Sequence, residues 1–206
     1  MTTLSKTFFT RTEQVQQSML VLSFLILVAL PLLLAYVSLG QSFYTYLFSL
    51  SLWSAFFVLA IRPLADLFPQ VLWLRPLVIL RKGFGTFSAS FIVAIMISKF
   101  ITYGNAHLMH YVAPEAWSLT KATVLATLAD ISAVILLVTS NKFSKRVLGE
   151  NWKCVQKLAY VYFYFGALYE YIVYHSLVAL SMVCVVGALS LGAFVYKRRV
   201  VLLQTI

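Results

Sequence analysis

The sequence predicts an all-α membrane protein, a bundle of six transmembrane helices with both termini on the cytoplasmic side. Of the 206 residues, 62% are hydrophobic and only 11% are charged, a composition that excludes an ordinary soluble domain and a disordered chain. Apolar runs of about twenty residues recur, the length that crosses the hydrocarbon core of a bilayer. The basic residues stand between these runs, as they do in loops that set membrane topology.

The predicted order begins with a polar cytoplasmic lead, residues 1–17, which could form an interfacial helix. A six-helix membrane domain over residues 18–199 and a cytoplasmic tail over residues 200–206 follow. Pro31 predicts a kink in the first span because it removes a backbone donor. The predicted spans are residues 18–39, 42–61, 84–103, 119–140, 155–174 and 177–196.

Two of the predicted connections between spans are not simple polar loops. Residues 62–83 contain three prolines together with Trp73 and Leu74, a mixture that predicts an interfacial segment rather than a free loop. Residues 158–196 contain no strong helix breaker, but one helix of that length would measure roughly 58 Å, nearly twice the hydrocarbon thickness. The polar pair His175-Ser176 is therefore the predicted turn between the last two spans.

The distribution of charge predicts the orientation. With six spans, fourteen of the sixteen Lys and Arg residues fall on the side of the two termini, and only Lys99 and Lys121 fall on the other side. Cytoplasmic loops accumulate Lys and Arg, so the termini are expected in the cytoplasm. The same arrangement explains the net charge of +10 without a nucleic-acid partner. The expected partners are the lipid bilayer and other membrane subunits, and the expected location is a bacterial inner membrane.

Residues 139–160, TSNKFSKRVLGENWKCVQKLAY, carry a specific pattern of Thr-Ser, clustered basic residues, Arg-Val-Leu-Gly and Trp. This pattern resembles the junction between the fourth and fifth helices of the ferric reductase-like transmembrane family. Within the family it is most similar to the haem-binding membrane subunits of the bacterial periplasmic methionine sulfoxide reductase system. Weaker similarity extends over roughly residues 55–175. The resemblance implies the same bundle architecture.

The resemblance also implies haem-ligand positions, and this sequence departs from the family at each of them. The family has a His four residues after the junction Trp and another near the outer end of the same helix, where this chain has Gln156 and Tyr169. Lys99 stands where the third helix has its ligand. The sequence therefore predicts no cofactor, with haem b held by unusual ligands as the alternative.

Lys99, Asp130 and Glu170 are ionisable residues predicted to lie within spans, where charge is costly unless it finds a partner. The family packing implies that Lys99 and Glu170 face each other across a vacated cofactor site. Such a pair could be structural or part of a proton relay, or Lys99 could reach the interface by itself. Asp130 could accept a hydrogen bond from a hydroxyl group or face another subunit.

The remaining candidates have simpler interpretations. Cys154 and Cys184 fall on different segments and are interpreted as small apolar side chains rather than a disulfide or metal site. His107, His110 and His175 are interpreted as polar residues at the membrane surface, with a peripheral metal or haem site as the alternative. The aromatic residues of the fifth span are interpreted as filling a vacated cofactor cavity, with electron hopping as the alternative. They are Tyr160, Tyr162, Phe163, Tyr164, Phe165, Tyr169, Tyr171 and Tyr174.

The expected function is that of a divergent, haem-free ferric reductase-like protein, an accessory or structural subunit of a larger membrane complex, with no catalytic residues of its own. The first alternative is an electron-transfer subunit of a membrane oxidoreductase that binds haem b, or a quinone or flavin at the cytoplasmic side. A small transporter or proton path built on the three ionisable residues is a further alternative, although no discontinuous-helix repeat is present.

Overall fold

The computed structural model describes residues 3–37, 41–71, 74–118 and 121–204, and these residues form helices and short connections without a β-strand. The all-α prediction is confirmed. Two 3-10 turns, Pro114–Trp117 and Gly149–Asn151, accompany the α-helices. The α-helices are α1 (Thr3–Tyr36), α2 (Gln41–Leu67), α3 (Leu74–Tyr103), α4 (Asn105–Val112), α5 (Thr123–Thr139), α6 (Lys142–Leu148), α7 (Trp152–Val155), α8 (Leu158–Tyr174) and α9 (Leu177–Gln204).

Four of the described helices, α1, α2, α3 and α9, contain stretches long and apolar enough to cross a membrane. A fifth span results if α5 is joined to the segment Phe143–Val155, from which it is bent by 95°. Helices α5 and α8 contain 17 residues each, at the lower end of the usual range for a span. These apolar helices make the chain an integral membrane protein with four to five candidate spans by this measure, against six predicted.

The faces of α1 and α9 that point away from the protein are strongly apolar. Phe24 is 66% exposed, and Leu177 and Leu191 are 72% and 68% exposed. Continuous apolar surfaces of this kind are unfavourable in water but favourable in contact with the acyl chains of lipids. The two helices therefore present the lipid-facing sides of the bundle.

The core lies among α2, α3, α5, α8 and α9. Its most buried side chains include Leu59, Ala133, Phe163 and Val186. Helix α1 lies outside this core against α2 and α3, where Leu34 packs with Leu47 and Phe91. The other half of α1 crosses α3 at Gly83, where a Cβ atom would lie 3.2 Å from the Cβ and Sδ atoms of Met19. Small residues permit this close approach between membrane helices.

The connection predicted over residues 62–83 is largely helical, and its position at the membrane interface stays a prediction. Helix α2 continues through Pro63 to Leu67, and α3 begins at Leu74. Pro76 lies in the first turn of α3, where a missing N–H costs no helical hydrogen bond. Trp73 lies outside the described residues. Helix α1 likewise includes most of the predicted polar lead and continues through Pro31.

The predicted turn at His175-Ser176 is confirmed. His175 has a left-handed backbone with φ 53°, α8 ends one residue before it, and α9 begins at Leu177. The fifth predicted span begins later than expected, because α7 ends at Val155 and α8 starts at Leu158. The outer connection after α3 is not a simple loop, since it contains α4 and a 3-10 turn.

Candidate functional site

The basic segment between α5 and α8 folds back onto the end of α5. Asn141 caps α6, its side-chain oxygen accepting a 2.7 Å hydrogen bond from Ser144 N, which is the usual role of Asn at a helix start. Trp152 Nε1 donates to the Thr139 carbonyl at 3.0 Å. Lys145 Nζ lies 5.3 Å from the centre of the Trp152 ring, within cation–π range. These contacts hold the basic segment against the C-terminal end of α5.

The side chains at the three positions that the resemblance relates to haem ligands have different surroundings. Gln156 Nε2 donates to Thr139 Oγ1 at 3.5 Å. The Tyr169 ring packs edge-on against Phe48, with centroids 6.2 Å apart. Lys99 is exposed. A transmembrane b-type haem normally has two axial His ligands that converge from facing helices, and none of these three side chains is a His.

A cluster of hydroxyl groups joins α2, α3 and α8 in the centre of the core. Ser51 Oγ donates to the Ser88 carbonyl at 2.7 Å, and Ser88 Oγ donates to the Ser51 carbonyl at 2.8 Å. The Tyr162 hydroxyl group lies within hydrogen-bond distance of both serine hydroxyls, 3.0 Å from Ser88 Oγ, and its single proton is donated to one of them. The three side chains are 0%, 1% and 6% exposed respectively. Such bonds are costly to break because each freed group stays buried.

Glu170 is buried at 6% exposure, as predicted, but it does not pair with Lys99. Its Oε1 atom accepts a 3.0 Å hydrogen bond from Ser49 Oγ on α2, and Oε2 has no hydrogen-bond partner in the described part of the chain. Lys99 is exposed on α3, so the prediction of a buried charge at this position is wrong. Glu170 faces α2, whereas the family packing implied that it faces α3. The exposed Lys99 agrees with the alternative in which its ammonium group reaches the interface.

Asp130 has a partner from the outer connection. Its Oδ2 atom accepts a 2.9 Å hydrogen bond from the Tyr111 hydroxyl group on α4. Burial, followed by the neighbouring Asp130 carboxylate, raises the pKa of the Tyr111 phenol, so the phenol stays protonated and donates. The His107 ring packs edge-on against Tyr111 at 5.2 Å, and Trp117 Nε1 donates to the Tyr111 carbonyl at 2.9 Å. The Tyr111–Asp130 hydrogen bond links α4 to α5.

The other sequence candidates are dispersed. Cys154 and Cys184 are both exposed and free. His107 lies in α4 and His175 at the turn before α9. His110 also belongs to α4, but its side chain is not among those that the structure describes. Within the described residues, no group of three His, Cys, Asp or Glu side chains could hold a metal ion. Of the aromatic residues of α8, Tyr162 and Phe163 are buried in the core.

One end of the bundle contains a cavity of about 900 Å³. Its inner part reaches Ser88 and Tyr162, and its walls include Val58, Leu59 and Phe194. The lining includes a single carboxylate, Asp66. The basic residues that line it come from the ends of α2 and α9, the start of α3 and the segment between α5 and α8. They are Arg62, Arg81, Lys82, Lys145, Lys153, Lys157 and Lys197.

Comparison of the chain with protein-family models, with curated proteins and with solved structures found no match.

Sequence reasoning missed Ser49, Ser51, Ser88 and Tyr111 as partners of buried groups. The serines stand within two apolar spans, at residues 42–61 and 84–103, where a polar side chain that faces a neighbouring helix commonly forms a hydrogen bond. That signal could have shown that these residues matter, but not which helix each one contacts. Tyr111 belongs to an outer connection, and the sequence gives no sign that it folds back onto α5.

The hydroxyl cluster predicts that Tyr162→Phe lowers the stability of the protein. The substitution keeps the ring but removes the group that bonds to Ser51 and Ser88, at an expected cost of about 1–3 kcal/mol in the free energy of unfolding. Thermal unfolding of the purified protein in detergent measures this effect. Tyr160→Phe is the matched control, since Tyr160 is 38% exposed and its ring stacks on Tyr164 without needing the hydroxyl group. Equal losses in the two variants would contradict the importance of the cluster.

The contact of Glu170 predicts which double-mutant cycle shows coupling. Ser49→Ala and Glu170→Met should be non-additive by about 0.5–3 kcal/mol, because each removes one end of the same hydrogen bond. Lys99→Met and Glu170→Met should add to within about 0.5 kcal/mol, because the two side chains do not meet. Thermal stability in detergent is again the measurement. Coupling of Glu170 to Lys99 but not to Ser49 would restore the ion pair expected from the sequence.

Proposed function

We propose that this protein is a haem-free member of the ferric reductase-like architecture and acts as an accessory or structural subunit of a larger membrane complex, with a redox complex as the first candidate. The observation that supports this role is the hydrogen-bonded centre of the bundle. Protein groups bond there to one another, in the cluster of Ser51, Ser88 and Tyr162, and the side chain of Gln156 is held by Thr139. A subunit of this kind contributes a stable surface rather than chemistry.

The proposed topology has six spans, with α1, α2, α3, α5, α8 and α9 each crossing a bacterial cytoplasmic membrane. The lining of the basic cavity supports it. Arg81 near the start of α3, Lys153 between α5 and α8, and Lys197 on α9 line the same cavity. These positions reach one end of the bundle if α3 and α5 cross in opposite directions, and α8 and α9 likewise. Helix α1 fits the scheme, because its N-terminal half contacts Gly83 near the same end.

The orientation proposed for this bundle places the basic end, and with it both termini, in the cytoplasm. The support is the excess of Lys and Arg at that end, which is the bias shown by cytoplasmic loops.

A second candidate function is electron transfer with a bound quinone. The cavity favours it over a haem, because its inner part reaches the hydroxyl groups of Ser88 and Tyr162 and its walls are partly apolar. A partly apolar pocket that contains a few polar groups is of the kind that binds a quinone ring.

The accessory role predicts a featureless visible spectrum for the purified protein. Reduced-minus-oxidised difference spectra of detergent-purified protein, expressed with haem supplementation, should show no b-type signal at a level stoichiometric with the chain. Organic extraction of the same sample, followed by chromatography, tests for quinone, and mild-detergent purification tests for partner subunits. A stoichiometric b-type signal that is lost in Lys99→Met or Gln156→Ala would overturn the haem-free proposal. Co-purified quinone would favour the second candidate.

The six-span topology predicts the outcome of reporter fusions. A reporter active only in the periplasm should give no signal when fused after Ile206 and a clear signal when inserted near Ala113, between α4 and the following 3-10 turn. A cytoplasm-active reporter at the same two sites should give the opposite result and controls for expression. A periplasmic C-terminus would show that α5 and α8 do not both cross the membrane.

A further inference from the structure

The basic cavity has features of a ligand site beyond its role in topology. A topology signal requires only that Lys and Arg lie in the correct loops, and exposed residues satisfy that requirement. Here seven basic residues from four parts of the chain surround one cavity with a single carboxylate, Asp66, in its lining. Seven positive charges less one negative charge leave a formal charge of +6. The repulsion among these cations is relieved most directly by a bound anion.

Arg81 is the most buried of the basic residues that line the cavity. It is half-buried, whereas the other six are exposed. Its Nε atom donates a 2.9 Å hydrogen bond to the Val58 carbonyl on α2. This bond holds Nε, and the two terminal nitrogens of the guanidinium group, which form no hydrogen bond within the described part of the chain, can bind a ligand. A fixed guanidinium fork matches the paired oxygens of a phosphate group.

The inner part of the cavity is suited to a less polar portion of the ligand. Val58, Leu59, Leu136 and Ala193 contribute apolar wall surface. Ser190 also lines this space, and its buried Oγ atom has no hydrogen-bond partner in the described part of the chain. A buried hydroxyl group without a partner is uncommon in a protein interior. It is accounted for if a polar atom of a ligand completes the bond.

We propose that this cavity binds an amphiphile with a phosphate-bearing head group, the phosphate held by Arg81 and the surrounding lysines and the apolar portion directed among α2, α5 and α9. Two sources supply this chemistry: an anionic phospholipid of the membrane, or a soluble phosphate ester. The proposal does not depend on the accessory role or on the number of spans, since it rests on the residues that line the cavity.

The test compares two double variants that remove the same charge. Lys82→Gln with Lys157→Gln changes two exposed residues that line the cavity, whereas Arg75→Gln with Arg146→Gln changes two exposed basic residues outside the lining. Native mass spectrometry of the full chain in detergent measures binding of phosphatidylglycerol, phosphatidylcholine and monooctyl phosphate. Arg81→Lys is a third variant, which keeps the charge but loses the fork. Elution on size exclusion and thermal stability confirm that each variant is folded.

The expected result is that the cavity variant binds phosphatidylglycerol about ten- to a hundredfold more weakly than the parent protein, as lost charge-assisted hydrogen bonds would produce. The control variant should bind like the parent, and phosphatidylcholine should bind more weakly than phosphatidylglycerol throughout. Binding of monooctyl phosphate but not of phosphatidylglycerol, with the same dependence on Lys82, Lys157 and Arg81, would identify a soluble ester as the source.

Two results would overturn the proposal. Equal weakening in the cavity and control variants would mean that general surface charge, rather than the cavity, attracts anionic lipid. Equal binding of phosphatidylglycerol and phosphatidylcholine, together with no binding of monooctyl phosphate, would mean that no phosphate site exists in this cavity.

Discussion

The hydrogen bonds among Ser51, Ser88 and Tyr162 are the interaction on which the rest of the bundle depends. In a membrane, apolar side chains gain little by leaving lipid for protein, so packing and buried hydrogen bonds decide which helix faces meet. Ser51 and Ser88 each donate to the main chain of the other, which requires α2 and α3 to approach closely at that level. The Tyr162 hydroxyl group joins the same pair and so fixes the rotation of α8. The cavity and the Ser49–Glu170 contact both follow from this arrangement of helices.

Each of two acidic side chains of the bundle accepts a hydrogen bond from a neutral hydroxyl group, the half-buried Asp130 from Tyr111 and the buried Glu170 from Ser49. A hydroxyl donor satisfies an acid in either protonation state, because it can bond to a carboxylate or to the carbonyl oxygen of a protonated carboxyl group. Burying a cation beside each acid would instead add a second desolvation penalty. The chain keeps its cations at the ends of helices, where water or lipid head groups solvate them, and this division accounts for the exposed Lys99.

The sequence predicted the features that depend on length and composition. Apolar runs identified the long helices, and the polar pair His175-Ser176 located the turn between α8 and α9 because a single helix would have been far too long. It could not predict features that depend on rotation about a helix axis. Lys99 and Glu170 were placed opposite each other by the implied packing of a family, whereas the actual direction of Glu170 depends on Ser49 of α2. The break predicted over residues 62–83 is shorter than expected, because α2 continues to Leu67 and α3 begins at Leu74, with Pro76 tolerated in its first turn.

The cavity links the constraint on topology to the binding site that we propose. Lys and Arg that set topology need only prevent their own translocation, but in this bundle the packed helices bring basic residues from four parts of the chain around one opening. Mutual repulsion among the cations then becomes a property of the fold, and an anion that enters the opening relieves it. A specific anion-binding site differs from a diffuse positive field because at least one of its binding groups has a fixed orientation. Arg81, held by the Val58 carbonyl, provides such a group, and the buried Ser190 hydroxyl without a partner provides a second polar contact among the residues that line the same space.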